Sequence, residues 1–315
     1  MSPNTIVASS AVASAATDTA MGVAGGKAGY LQVGMVLRQP VTAEYFTISV
    51  IAGNTITLTR GFGGTTATSF AAGQSLDVIA DAALEGADVD QDSSTIRVNR
   101  GNYCQLYKKD VIVSGTQQAV SLHGGIEDEF MYQRDKKLAE ALRDLEKAVI
   151  LGILSGNTIG SSSARRTMEG LRSAITTNAR SVGAALTESW FGTAIQDAWS
   201  QGGTDIDLVV AGVNYKRIID SWNNTRKLIP NEDRRYIAAV SEYESTFGML
   251  TIMLSRWMPS DEALIIASPR TKVVPLQQRS FQFREVVSQG DSKKGFVVGE
   301  YTLEVRNQAG MSRIY

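Results

Sequence analysis

Residues 102–152 read NYCQLYKKDVIVSGTQQAVSLHGGIEDEFMYQRDKKLAEALRDLEKAVILG. An extended, β-branched run passes here into a long amphipathic segment. Val111–Val113 is a short strand, and Ser114-Gly115 begins its exit. Beyond Gly125, the apolar residues Ile126, Phe130, Leu138, Ala141, Leu142, Leu145, Val149 and Ile153 recur at spacings of three and four or their multiples, with Arg134 as an interruption. This spacing predicts a helix over 126–154, about 44 Å long at a rise of about 1.5 Å per residue. Ordinary globular helices run about three turns. Glu127, Asp128 and Glu129 fall in its first turn, where the helix dipole favours negative charge. Lys136 with Glu140, Glu140 with Arg143, and Arg143 with Glu146 support its exposed face. Ser155-Gly156-Asn157 is the predicted stop. A rod of that length braces a broad body better than it fits a small round one, which points to a structural component rather than a catalyst.

The chain around this segment has 315 residues, of which 43% are hydrophobic, enough for one large or two modest domains. Lys+Arg 31 against Asp+Glu 32 gives a net charge of −1. That balance argues against a dedicated nucleic-acid binder, which carries a basic excess. Cys104 is the only cysteine, so an internal disulfide and a cysteine-rich metal site are excluded. A half-buried or core thiol in a reducing cytoplasm is expected. No run is long and apolar enough for a membrane span, and the first 17 residues lack the basic start of a signal peptide.

Residues 1–29 are rich in Ala, Ser, Thr and Gly, with only Asp18 and Lys27 charged. Such a segment is expected to bury too little apolar surface to offset its ordering entropy, and to be mobile until it meets a neighbour. Its removal is then expected to leave a folded monomer. From residue 31 to 79 the pattern is β. Phe46, Ile48 and Val50 alternate with polar residues, as do Ile56 and Leu58, and Ala52-Gly53-Asn54 lies between as a hairpin loop. An ordinary meander and a hairpin projecting onto a neighbouring subunit fit this pattern equally well. Residues 161–164 form a small-residue linker. Thr187 is placed to cap a helix over 188–201 that Gly202-Gly203 ends, and Asn214 a helix bearing Tyr215, Ile218, Ile219 and Trp222. Strands are expected at 207–211, 236–240, 249–254, 263–266, 272–276, 281–287 and 296–306, with 225–235 a charged loop and 288–294 a polar turn.

The search for chemistry yields no site. His123 is the only histidine, and no G-x-S-x-G elbow accompanies it, so it reads as a helix-entrance residue rather than a catalytic base. No H-E-x-x-H, C-x-x-C or EF-hand pattern occurs, and consecutive Glu127, Asp128 and Glu129 fan out around a helix instead of converging. Gly25-Gly26-Lys27 is followed by Ala28 rather than Ser or Thr, and the 61–66 stretch GFGGTT lacks a third fingerprint glycine, so neither is a phosphate loop. Lys108-Lys109, Arg226-Lys227 and Arg234-Arg235 read as solvated loop charge, with subunit contacts or weak touches to packaged nucleic acid as the alternative. No catalytic, cofactor-binding or metal-binding residue and no cofactor is assigned.

Several stretches together resemble a known family. RGNYCQLYKKDVIVSGTQQAV (100–120), GGIEDE (124–129) and LAEALRDLEKAVILG (138–152) are similar to major capsid proteins of tailed bacteriophages, typified by short-tailed phages with elongated heads. So are GNTITLTRGFGGTTATSFAAG (53–73), ALEGADV (83–89), RTMEGLRSAITTN (166–178), YESTFGMLTIMLSRWMPSDEALII (243–266) and QGDSKKGFVVGEYTLEVRN (289–307). The resemblance implies an α+β, HK-ninety-seven-like capsid fold. Its parts would be an N-terminal arm at 1–30, an extended β-hairpin loop at 31–79, a peripheral domain at 80–163 with its spine helix at 126–154, an axial domain at 164–268, and peripheral return strands at 269–315. It implies a non-enzymatic shell protein that assembles with itself into hexameric and pentameric capsomers around double-stranded DNA in the virion, with portal, scaffolding and decoration proteins as further partners. An encapsulin-type nanocompartment shell is the alternative within that fold, and a hydrolase using His123 the alternative outside it. Some capsids of this fold crosslink a lysine to an asparagine, but no motif gives Lys27 or Lys108 that role.

Overall fold

The structure, a computed structural model, describes residues 5–12, 19–81, 85–86, 99–120, 128–156, 160–183, 185–222, 242–288 and 290–315. The chain divides into two compact units, Met1–Asn99 and Arg100–Tyr315.

The first unit is a β-barrel. Its strands are β1 (Thr5–Val7), β2 (Ala20–Gly22), β3 (Val36–Arg38), β4 (Tyr45–Ala52), β5 (Thr55–Thr59) and β6 (Ser75–Ala80), in the order β1-β6-β3-β4-β5-β2 with every pair antiparallel. A bridge between Ala8 and Val23 joins the two ends of that order and closes the sheet. Alternation along each strand sends one side chain in two to the interior. Ile6, Met21, Leu37, Phe46, Ile48, Ile56, Leu58 and Leu76 meet there, with Phe70 stacked on Phe46. The hairpin β4–β5 turns at Gly53-Asn54, where Gly53 takes φ +60, a region that costs glycine nothing.

Two expectations are corrected here. Val50 is exposed, because the β4–β5 register shifts between Ile48 and Val50 and hands the inward place to Ile51. Residues 5–12 and 19–30 are not a separate mobile arm. They supply two barrel strands and bury Ile6, Ala8, Val12, Met21, Val23 and Ala28 in the core they share with residues 31–76. Composition underestimated them because closing a sheet satisfies backbone groups that hydrophobicity does not count. Removing residues 1–29 would therefore open the barrel rather than leave a folded monomer.

The described residues of the second unit form two sheets. Strand β7 (Gln105–Ser114) leads through the short α1 (Gly115–Ala119) toward the long helix α2 (Glu129–Leu151). After α2 come α3 (Leu171–Ala174), β8 (Ala179–Arg180), α4 (Glu188–Ser200), β9 (Leu208–Ala211), α5 (Val213–Trp222), β10 (Glu242–Ser245), β11 (Gly248–Leu254), β12 (Ala263–Ile266), β13 (Thr271–Pro275), β14 (Gln282–Val286), β15 (Ser292–Val305) and β16 (Ser312–Ile314). In the first sheet β15 is central, with β7 along one edge and β13 and β14 along the other. In the second, mixed sheet the order is β10-β11-β9-β12-β16-β8, with β9–β11 and β8–β16 parallel. Helices α4 and α5 cover one of its faces through Phe191, Ile195, Tyr215 and Ile219. A further core runs from Ile150 on α2 and Leu171 on α3, through Val210 and Leu264, to Leu303 on β15 and Met311. That core spans both sheets of the second unit and ties residues on either side of the 161–164 linker together.

Helix α2 has 23 residues, about 35 Å at a rise of about 1.5 Å. Asp128 is its cap and accepts from the amides of Phe130 at 2.9 Å and Met131 at 3.2 Å. Of the predicted span 126–154, residues 126 and 127 lie outside the described residues. The C-terminal end comes earlier than Ser155-Gly156-Asn157. At Gly152 the returning chain crosses the helix end, and Gly170 donates its N–H to the Gly152 carbonyl at 3.0 Å. A Cβ on Gly170 would lie 2.6 Å from the Ala148 oxygen, so two glycines make this crossing possible. Strand β7 is longer than the three residues expected, because β15 pairs with it from Gln105 to Ser114. Lys108 and Lys109 are therefore strand residues, not loop charge. Ser292, Lys293 and Lys294 likewise belong to β15 rather than to a turn. Thr187 caps α4, accepting from Trp190 N at 3.3 Å. Asn214 does not cap α5, which begins at Val213, and its side chain donates to Asp261 at 2.9 Å instead. The strand expected at 236–240 and the loop at 225–235 lie outside the described residues.

Candidate functional site

The residues weighed for chemistry do not converge. His123, Glu127, Arg226, Lys227, Arg234 and Arg235 lie outside the described residues. Asp128 caps α2, while buried Glu129 accepts from Gln133 at 2.6 Å. Gly25 and Gly26 form a tight turn with φ near +70, and the Lys27 amine reaches the Thr5 carbonyl at 3.5 Å. Cys104 is half-buried. Among the described residues no group of three or more His, Cys, Asp or Glu could hold a metal ion, and no described helix is long and apolar enough to cross a membrane.

What the second unit does present is uncovered apolar surface beside a rigidly held rod. One side of α2 packs on the first sheet, where Phe130 meets Val111 and Val113 and lies edge-on to Phe283 with centroids 5.5 Å apart. Lys109 of β7 locks the middle of the helix to the strand. Its amine donates to Glu140 at 2.8 Å and to Asp144 at 2.6 Å. Lys137 donates to the second Glu140 oxygen at 2.8 Å. The bonds from Lys109 and Lys137 pull the Glu140 carboxyl down to about 2, and the same contacts hold the Lys109 amine above the usual lysine range. Tyr107, buried beneath the helix, has its hydroxyl pushed up by burial and further by Asp144.

Along the flank of α2, Met131, Leu138 and Leu142 follow one another at i, i+7 and i+11 and stay in solvent, Leu142 at 50% exposure. Leu138 also borders a groove of about 230 Å³ whose floor is Phe281, Phe283 and Val297, with Arg134 and Asp135 paired at its rim. On the opposite face of the sheet, Leu106, Ile112 and Val286 are exposed, and Val287 beyond β14 is 94% exposed. On the second sheet, Met249, Met253 and Leu254 of β11 are exposed, and the Trp199 ring lies tilted against Phe247 with centroids 5.6 Å apart, near the β10–β11 turn. Single exposed apolar residues are ordinary, but aligned runs of them on rigid elements mark contact surfaces.

The polar groups beneath these faces are arranged for rigidity. Glu262 is buried between Arg172, which grips it through two bonds of 2.8 and 2.7 Å, and Arg313 of β16 at 3.3 Å. Burial pushes its carboxyl up, but the two guanidinium groups overcome this and hold it below the carboxylate range. In the barrel, Glu44 and Arg60 form an ion pair at 2.6 Å with side chains 0% and 1% exposed. Glu44 also accepts from the Thr68 amide at 2.9 Å, and Arg60 donates to the Thr68 carbonyl at 2.5 Å, so the 61–68 loop is fixed in shape. Neither cluster was found in the sequence. The available signal for the second was one acid just before β4 and one base just after β5, closing the open end of the hairpin.

Comparison with known proteins gives the identity. No curated protein matches the chain. Among solved structures, the capsid asymmetric unit of cyanophage A-1(L) aligns with TM-score 0.53 and 10% identity, covering 67% of this chain and 76% of that one. Gordonia phage Cozz aligns with TM-score 0.50 and 12% identity, covering 75% and 78%. A holo-SrpI encapsulin from Synechococcus elongatus aligns with TM-score 0.46 and 12% identity, covering 67% and 73%. The first two alignments show an HK-ninety-seven-like capsid fold. The model of the SU10 major capsid protein family matches residues 8–315, from just past the first barrel strand to the last residue given, and the chain belongs to that family.

Proposed function

We propose that copies of this chain close into an icosahedral or elongated head shell around the double-stranded DNA of a tailed phage, as hexameric and pentameric capsomers. The observation that carries this reading is the family match over residues 8–315. The uncovered apolar flank of α2 supports it, because a rod with Met131, Leu138 and Leu142 in water is stable in solution only at a cost that a neighbouring copy removes. Weak contacts of this kind add up when each copy touches several others. In this reading residues 80–163 and 269–315 are peripheral and residues 164–268 gather at the capsomer centres. Portal, scaffolding and decoration proteins are its further partners, the host cytoplasm its place of synthesis, and the chain performs no catalysis of its own.

The test is negative-stain microscopy of the purified full chain, followed by nuclease digestion of particles from infected cells. Closed shells of uniform thickness that protect double-stranded DNA are expected. Shells that instead enclose a protein cargo and no DNA would overturn the genome-packaging part, and the absence of shells would overturn the whole.

A further inference from the structure

We infer that the face of the first sheet turned away from α2 seats an acidic, amphipathic helix of a separate partner protein. The strands here carry a pattern suited to cover on both sides. β7 contains Val111-Ile112-Val113, β15 contains Phe296-Val297, and β14 ends on Val286 with Val287 just beyond. A strand with one side in water alternates apolar with polar residues, whereas a consecutive apolar run suits a strand covered on both. One side has its cover. Val111, Val113 and Val297 share the α2 side and are buried. On the other side Ile112 is 65% and Val286 45% exposed. Pairing sets the open positions in two rows, Ile112, Lys294 and Val286 in the first and Asp110, Phe296 and Arg284 in the second. Val298 and Glu300, farther along β15, are buried, so the patch is confined to this end of the sheet. Strands about 4.8 Å apart make it about 10 Å wide, the width of one helix. A cleft of about 500 Å³ lined by Gln118, Val286, Val287 and Lys294 prolongs it past the end of β14.

The chemistry of the occupant follows from the covered side. There α2 brings Phe130 to Val111 and Val113, and it brings Glu140 and Asp144 to Lys109 at 2.8 and 2.6 Å. One helix thus answers both the apolar positions and the cation of the strand. The open side repeats that combination without the helix. The Lys108 amine stands 5.0 Å from the Phe296 ring centroid and pairs with Asp110 at 3.1 Å, which occupies the one acid of the two rows. Among the described residues no carboxylate lies within ion-pair reach of Arg284 or Lys294. A nucleic-acid duplex would meet these two cations with phosphates but would also set phosphate charge against Ile112 and Val286, which it cannot cover. Carboxylates beside an apolar stripe on one helix face match the cations and the aliphatic groups together. The inference goes beyond the shell reading, since the occupant is not another copy of the chain.

The probe is a fluorescein-labelled, end-capped helical peptide of about 18 residues, about 27 Å long, with leucines at i, i+3, i+4 and i+7 and glutamates beside them. Its counterpart with lysine for every glutamate and a DNA duplex of about the same length are the comparisons. Fluorescence anisotropy is read with the unassembled full-length chain taken from size exclusion. The glutamate peptide is expected to bind at least about tenfold tighter than the lysine peptide. Arg284→Glu combined with Lys294→Glu should weaken that binding at least about tenfold, and so should Ile112→Asp alone. Both are surface changes, and circular dichroism of each variant confirms that it is folded. Equal binding of the two peptides, no binding of either, or glutamate-peptide binding that both variants leave intact would overturn the inference. Tighter binding of the duplex, lost in the same variants, would give the face to nucleic acid and overturn it as well. Closed particles without peptide binding sink the partner helix alone, and peptide binding by a chain that never forms particles sinks the shell reading alone.

Discussion

Glu44 and Arg60 make the sharpest residue-level statement. A fully buried ion pair is weak evidence for stability, yet losing one partner strands the other charge in the core. Glu44→Gln is therefore expected to destabilise the barrel by about 3–5 kcal/mol in denaturant unfolding, whereas Glu44→Leu with Arg60→Met should recover much of the loss. The double variant should in exchange loosen the 61–68 loop, which it no longer pins. Glu140 gives a test with pH. Its folded carboxyl titrates near 2 against an unfolded value of 4.5, so its contribution is present above about pH 4.5 and disappears as pH falls through about 2. The Lys109–Glu140 contact is partly open to solvent, so the effect stays below about 1 kcal/mol. Thermal unfolding between pH 6 and 2 should show a shallower decline for Glu140→Gln than for the parent. Equal slopes would mean that the clamp on α2 adds nothing.

At the scale of elements, α2 and its neighbours show what periodicity can and cannot reveal. The stripe through Phe130, Ala141, Leu142 and Leu145 located the helix, and the run from Ala263 to Ile266 located β12 to the residue. Where the helix ends was not legible, because Gly152 becomes a stop only through the crossing at Gly170, 18 positions later in the sequence. The exposed part of the stripe was equally hidden. Leu138 and Leu142 look like core residues in sequence, and only packing shows that the sheet covers Phe130 and Ala141 instead. That difference is testable. Leu142→Asp should leave the stability of the unassembled chain within about 0.5 kcal/mol, as exposed substitutions do, while abolishing particles. Gly170→Ala should do the reverse of a surface change, lowering stability by at least about 1 kcal/mol through its clash with the Ala148 carbonyl.

For the molecule as a whole, the two units differ in how openly the sequence wrote them. The second follows from strand and helix patterns that each carry their own period. The barrel does not, since β1, β2 and β3 have three residues apiece, too few for alternation to stand out from an Ala, Ser and Gly background. Their place depends on long-range pairing with β5 and β6, which local patterns cannot express. The second unit nevertheless buries little of α2 and leaves apolar runs on both of its sheets, the pattern of a subunit rather than of a finished object. Sedimentation velocity of the purified full-length chain over a hundredfold range of concentration tests this most directly. A fast boundary of uniform, closed particles that grows with concentration at the expense of the 33.9 kDa monomer is the predicted result. A single monomer boundary across the whole range, with no larger species, would contradict it.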